Sequence, residues 1–87
     1  VESSDGFVLQ SVDRFGYRYI ERQRTLRIEA EPLWRPNGEY FEEISEKSFQ
    51  SWLPPHAAEE ITEHERKRLR CNVDSALTFM QVDHQFR

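Results

Sequence analysis

Glu42, Glu43 and Glu46, with His56 following, are the side chains whose types best suit acid–base chemistry, because paired carboxylates and an imidazole can share a proton-transfer task if a cleft brings them within hydrogen-bond reach. Against that reading, a chain of 87 residues has little room for a water-excluding pocket, and the same carboxylates read more simply as a solvated acidic edge. The remaining reactive groups are scattered. His56, His64, His84 and Cys71 show neither the His-x-x-x-His nor the Cys-x-x-Cys spacing that places two ligands on one helix face or knuckle, so no metal site is expected. Cys71 falls on the polar side of a helical pattern with no histidine placed by sequence to activate it, which predicts a free thiol. Gly6, Gly16 and Gly38 never cluster, so there is no phosphate-cradling loop. These patterns predict a protein that is not an enzyme; a small enzyme using Glu42, Glu43 or His56 is the rival reading.

Charge narrows the choice of partner. The net charge is −4, and residues 31–60 alone hold −5. A nucleic-acid binder needs a basic face for phosphate, so the acidic middle third speaks against one and for a basic protein partner. Arg66, Lys67, Arg68, Arg70 and Arg87 read as the solvated face of a helix and its surroundings, since Glu63 and Glu65 interleave with them. No apolar run approaches the roughly 18 residues of a membrane span. The opening Val1-Glu2-Ser3-Ser4-Asp5-Gly6 lacks the positive start and apolar centre of a signal peptide, and a single cysteine forms no internal disulfide, so the expectation is a reducing, cytoplasmic setting.

The elements that must position these residues centre on one helix. Thr62-Glu63-His64-Glu65 is a capping-box pattern, and Leu69, Val73, Ala76, Leu77 and Met80 then form a single apolar stripe at helical spacing. Before it, alternation and strand-forming residues predict strands over 7–12, 17–21, 26–31 and 39–45. A turn is expected at Pro36-Asn37-Gly38, a helical turn within 45–52 that ends at Pro54-Pro55, and a last strand over 82–86. Length allows a single domain, 1–87, with one core. The predicted architecture is α+β, β-β-β-β-α-β, an antiparallel sheet of four to five strands with one long helix packed across one face. Large rings (Trp34, Trp52, Phe7, Phe15, Phe41, Phe49 and Phe79) are expected to supply much of the burial.

Tyr17-Arg18-Tyr19-Ile20-Glu21, Tyr40-Phe41-Glu42-Glu43-Ile44, Trp52-Leu53-Pro54-Pro55-His56 and the Ile61-Thr62 helix start together resemble small bacterial immunity proteins of polymorphic-toxin, contact-dependent-inhibition-type systems, in the group with a Trp-x-Pro-Pro-His segment before a single long helix. The resemblance spans about residues 7 to 86. The glycines expected in that family's hairpin and after its helix are replaced here by Glu21-Arg22-Gln23-Arg24 and Phe79-Met80-Gln81. It implies a stoichiometric inhibitor of a cognate toxin domain, with no catalysis and no cofactor. Many such toxins are nucleases with basic grooves, which an acidic inhibitor would suit. Glu39, Glu42, Glu43, Glu46 and Trp52 are the expected partner-binding residues; a small accessory or scaffold protein is the other reading.

Overall fold

In a computed structural model of the chain, residues 6–87 are described, so the reading of the opening segment as free of an export signal lies outside the described residues up to residue 5. Five strands, β1 (Phe7–Asp13), β2 (Gly16–Glu21), β3 (Arg24–Trp34), β4 (Tyr40–Ile44) and β5 (His84–Phe86), form one sheet in sequence order, with the helix α1 (Glu63–Phe79) between the last two. The first three pairings are antiparallel and close across short turns. β5 instead lies parallel to β4, because the chain returns to the sheet through the helix and a crossover connection delivers the strand in the same direction. The fold is the α+β architecture expected, antiparallel apart from that last pair.

The turns show how the sequence bends without much glycine. Between β1 and β2 the Asp13 Oδ1 accepts the Phe15 N–H at 2.9 Å, an Asx turn. Gly16 follows because a Cβ there would sit 2.9 Å from the Ile28 carbonyl oxygen, closer than backbone atoms tolerate. The β2–β3 connection has two central residues, Arg22 and Gln23, at φ 48° and 67°, the left-handed pair that matches the strands' twist and that Asn-Gly usually supplies. The turn expected at Pro36-Asn37-Gly38 is present, with Gly38 at φ 88° and the Asn37 Oδ1 accepting the Glu39 N–H at 3.0 Å.

Alternation along the strands puts Phe7, Leu9, Tyr19, Leu26, Ile28, Ala30 and Ile44 on one face, all buried. Leu69, Val73, Ala76 and Leu77 of the helix complete that core, with Met80 partly buried against it. The Thr62 Oγ1 accepts the Glu65 N–H at 3.1 Å as the capping pattern predicts, while the Glu65 carboxylate accepts from the Thr62 hydroxyl at 3.3 Å. At the other end, Gln81 N–H donates to Thr78 O and Val82 N–H to Leu77 O, a Schellman motif with Gln81 at φ 62° where glycine is preferred.

Residues 45–53 run along the half of β3 that β4 leaves bare: Ser45 N–H donates to Glu29 O and Leu53 N–H to Thr25 O. A 3₁₀ turn at Glu46–Ser48 replaces the helical turn expected, and Phe49 and Trp52 fill the space beneath. Of the rings expected in the core, Phe7, Phe49 and Trp52 are buried. Phe15, Trp34 and Phe79, expected in the core, are 56%, 66% and 78% exposed. Tyr17 and Tyr19, not singled out for the core, are buried instead.

Candidate functional site

The exposed rings are not spread at random, and a proline marks where two of them lie together. β3 pairs with β2 only as far as Glu29, and Ala30 N–H then caps that edge by donating to Phe15 O at 2.9 Å. Two residues on, the same edge would need an N–H from Pro32, which has none; proline in a strand is tolerated only where no partner asks for that bond. β2 begins only at Gly16, straight after the β1–β2 turn, so the outer half of β3 pairs with β4 alone and Pro32 sits where its missing N–H costs no ladder bond. Between it and the β1–β2 turn a groove of about 470 Å³ is left open, lined by Ser11, Asp13, Arg14, Phe15, Tyr17, Pro32, Trp34, Tyr40 and Glu42. None of these belongs to the helix.

Glu42 lies on the groove's wall. Its Oε1 accepts from the Tyr17 hydroxyl and its Oε2 accepts from the Tyr40 hydroxyl at 2.6 Å. Burial, and then the hydrogen bond to Glu42, push the Tyr40 phenol up to about 12 and the Tyr17 phenol higher still, so both remain donors throughout the neutral range. Trp34 packs edge to face on Tyr40, ring centres 5.6 Å apart. The result is a carboxylate fixed by two phenols beneath a rim of Phe15, Trp34 and Tyr40, an aromatic surface of the kind that dominates binding energy at protein interfaces. Two oxygens carry about four acceptor sites, so the carboxylate keeps capacity for a further donor from the groove.

The side chains singled out in the sequence are dispersed. Glu42 and Glu43 point to opposite faces of β4; Glu43 accepts from Arg87 at 3.0 Å and from Gln85 at 3.1 Å on the open face. Glu46 pairs with Arg70 at 3.0 Å, and Glu39 is exposed at the turn before β4. Of the carboxylates expected to meet a basic partner, with at least Glu42 and Glu46 or Glu39 and Glu43 sharing a surface, Glu43 and Glu46 are held by arginines of the chain itself. Trp52, 2% exposed, has no surface to offer a partner and is a core plug. His56 pairs with Glu59 at 2.9 Å in the linker, away from Glu42 and Glu43, so these three do not converge. His84 is held between Val82 O at 2.8 Å and Asp74 Oδ1 at 2.6 Å, and Cys71 is an exposed free thiol. Among the described residues no cluster of three or more His, Cys, Asp or Glu is placed to hold a metal ion, and no helix is long and apolar enough to cross a membrane. The arginines singled out around the helix are also engaged: Arg66 donates to Phe49 O at 3.3 Å, Arg68 to Glu21, Arg70 to Glu46, and Arg87 to Glu31 and Glu43.

Sequence reasoning named Glu42 and missed Phe15, Tyr17, Trp34 and Tyr40 as a site. The signal was Pro32, which marks where β3 loses a neighbour, with Trp34 two residues beyond it on the same face. Compared with protein-family models, curated proteins and solved structures, the chain shows no match.

Proposed function

We propose that the protein is an immunity-type inhibitor that binds a cognate bacterial toxin domain and neutralises it by forming a stoichiometric complex. The observation that carries this reading is the exposed aromatic rim of Phe15, Trp34 and Tyr40 around Glu42: the folded chain keeps large rings on its surface, where they cost solubility and add nothing to the core. Trp and Tyr in a partly enclosed site are the residues on which protein–protein affinity concentrates. The sequence resemblance to immunity proteins supplies the class of partner, and the net charge of −4 favours a basic one, nuclease domains included. Catalysis plays no part in this reading, since Glu42, Glu43 and His56 point to separate places.

The test is to co-purify the chain with the toxin domain encoded beside it and to measure toxin activity with and without it. A one-to-one complex that loses affinity on Trp34→Ala supports the proposal. Unchanged toxicity with no complex at micromolar concentration removes it.

A further inference from the structure

Twice in this molecule an arginine lies over an aromatic ring while pairing with a carboxylate. The Arg35 guanidinium sits 4.4 Å from the centre of the Phe41 ring and bonds Asp83; the Arg70 guanidinium sits 4.8 Å from the centre of the Phe86 ring and bonds Glu46 at 3.0 Å. The groove offers the same two components, aromatic faces at Trp34 and Tyr40 and a carboxylate at Glu42. Among the described residues, no basic side chain pairs with Glu42. We propose that the missing component comes from the partner: the groove seats a lysine or arginine side chain of the bound protein, its charge at Glu42 and its stem along Trp34 and Tyr40.

Three observations make a cation the fitting occupant. Glu42 is half-buried and held by donors that stay neutral, so its negative charge is balanced by no counter-ion within bonding distance. Aromatic faces attract a cation through their quadrupole, by more where water is partly excluded. The volume of about 470 Å³ is that of a small-ligand cleft, room for one long side chain and the backbone that carries it. Arg14, which also lines the groove, is exposed and bonds neither Glu42 nor Asp13; it acts as a competing charge at the rim rather than as the occupant.

This inference rests on the groove being the partner surface, and the probes separate the two. Nα-acetyl-arginine methylamide, Nα-acetyl-lysine methylamide, their uncharged analogue Nα-acetyl-norleucine methylamide and a short oligothymidylate are titrated into the intact chain, followed by tryptophan fluorescence and amide chemical shifts. The expected result is millimolar binding of both cations, about tenfold weaker binding of the norleucine compound, and shifts confined to residues around 15, 17, 34, 40 and 42. Glu42→Gln, whose fold is checked by its melting temperature, brings the cations down to the norleucine level, and Arg14→Ala tightens them. If norleucine binds as well as arginine, the groove is only an apolar pocket and the proposal is overturned; preference for the oligonucleotide, or no binding by any probe, overturns it equally. Cation binding by a chain that takes no toxin leaves this site standing and removes the immunity reading, whereas a toxin complex without cation binding does the reverse.

Discussion

Arg68, in the second turn of the helix, donates to the carboxylate of Glu21 at the end of β2 and so fastens the helix to the corner of the sheet next to the β2–β3 turn. Tyr19 donates to the same Glu21 oxygen at 3.0 Å and accepts from Asn72 at 2.9 Å, which makes the fastening a four-residue network. Burial alone would raise the Glu21 pKa; the hydrogen bonds from Arg68 and then Tyr19 more than reverse it and hold the carboxyl below its ordinary value. Below about pH 4.3 the unfolded chain binds the proton that folded Glu21 refuses, so the stability this group contributes is complete above that pH and is lost as pH falls through the lower folded value. Arg68→Ala should lower stability by about 2–3 kcal/mol at neutral pH, because it leaves a nearly buried carboxylate without its cation. Urea unfolding from pH 7 to pH 3 checks both points: Glu21→Gln should show a flatter acid limb than the wild type.

The two places where side-chain-bearing residues occupy the left-handed region predict gains rather than losses. Gln81→Gly at the helix end and Gln23→Gly in the β2–β3 turn each relieve a conformation that non-glycine residues resist. Each should add about 0.5–1 kcal/mol, a rise in Tm of roughly 2–8 °C for a domain of this size. Thermal melts of the two single variants and the double variant would show it, and the sites are far enough apart in the fold for the effects to add.

All three tyrosines, Tyr17, Tyr19 and Tyr40, are raised, by burial first in each case. A phenol whose folded pKa exceeds its unfolded value of about 10 stabilises the fold fully below that pH and loses the contribution as pH rises through the folded value. The native chain should therefore show almost no phenolate absorbance at about pH 10, and its ionisation should coincide with alkaline unfolding. In denaturant the same three groups should titrate together near pH 10.

Trp34 and Trp52 report on separate things, one 66% and the other 2% exposed. On the proposed immunity function, Trp34→Ala should weaken toxin binding by roughly 30-fold or more, the threshold of an interface hot spot, and leave Tm within about 1 °C of the wild type. Phe79→Ala, more exposed still and away from the groove, is the control and should change neither. Acrylamide quenching of Trp34 but not Trp52 in the free protein, with protection of Trp34 in the complex, would locate the contact independently.

Much of the fold was legible because periodicity reports burial. Leu26, Ile28 and Ala30 alternate against a single helix stripe, and Thr62 caps that helix as its neighbours suggested. The direction of β5 was not legible, since Val82, His84 and Phe86 alternate in the same way whether a strand runs up or down. Nor was the fate of the acidic block. Whether Glu43 and Glu46 are free depends on Arg87 and Arg70, which are remote in sequence and local only after folding. The groove escaped for a related reason: a large ring reads as core wherever it occurs, and only the register that leaves Pro32 without a neighbour on the β2 side puts Trp34 outside.

The parallel seating of β5 also governs how this sheet meets other sheets. A long, bare outer strand is a template onto which foreign strands add, the usual opening step of aggregation. On this side the outermost strand is three residues long, and Arg87 just beyond it reaches back to Glu31 and Glu43 and places charge across the rim. By ending the sheet in so short and charged a margin, the crossover denies a stray strand a ladder to climb, and leaves recognition on that flank to side chains rather than to backbone.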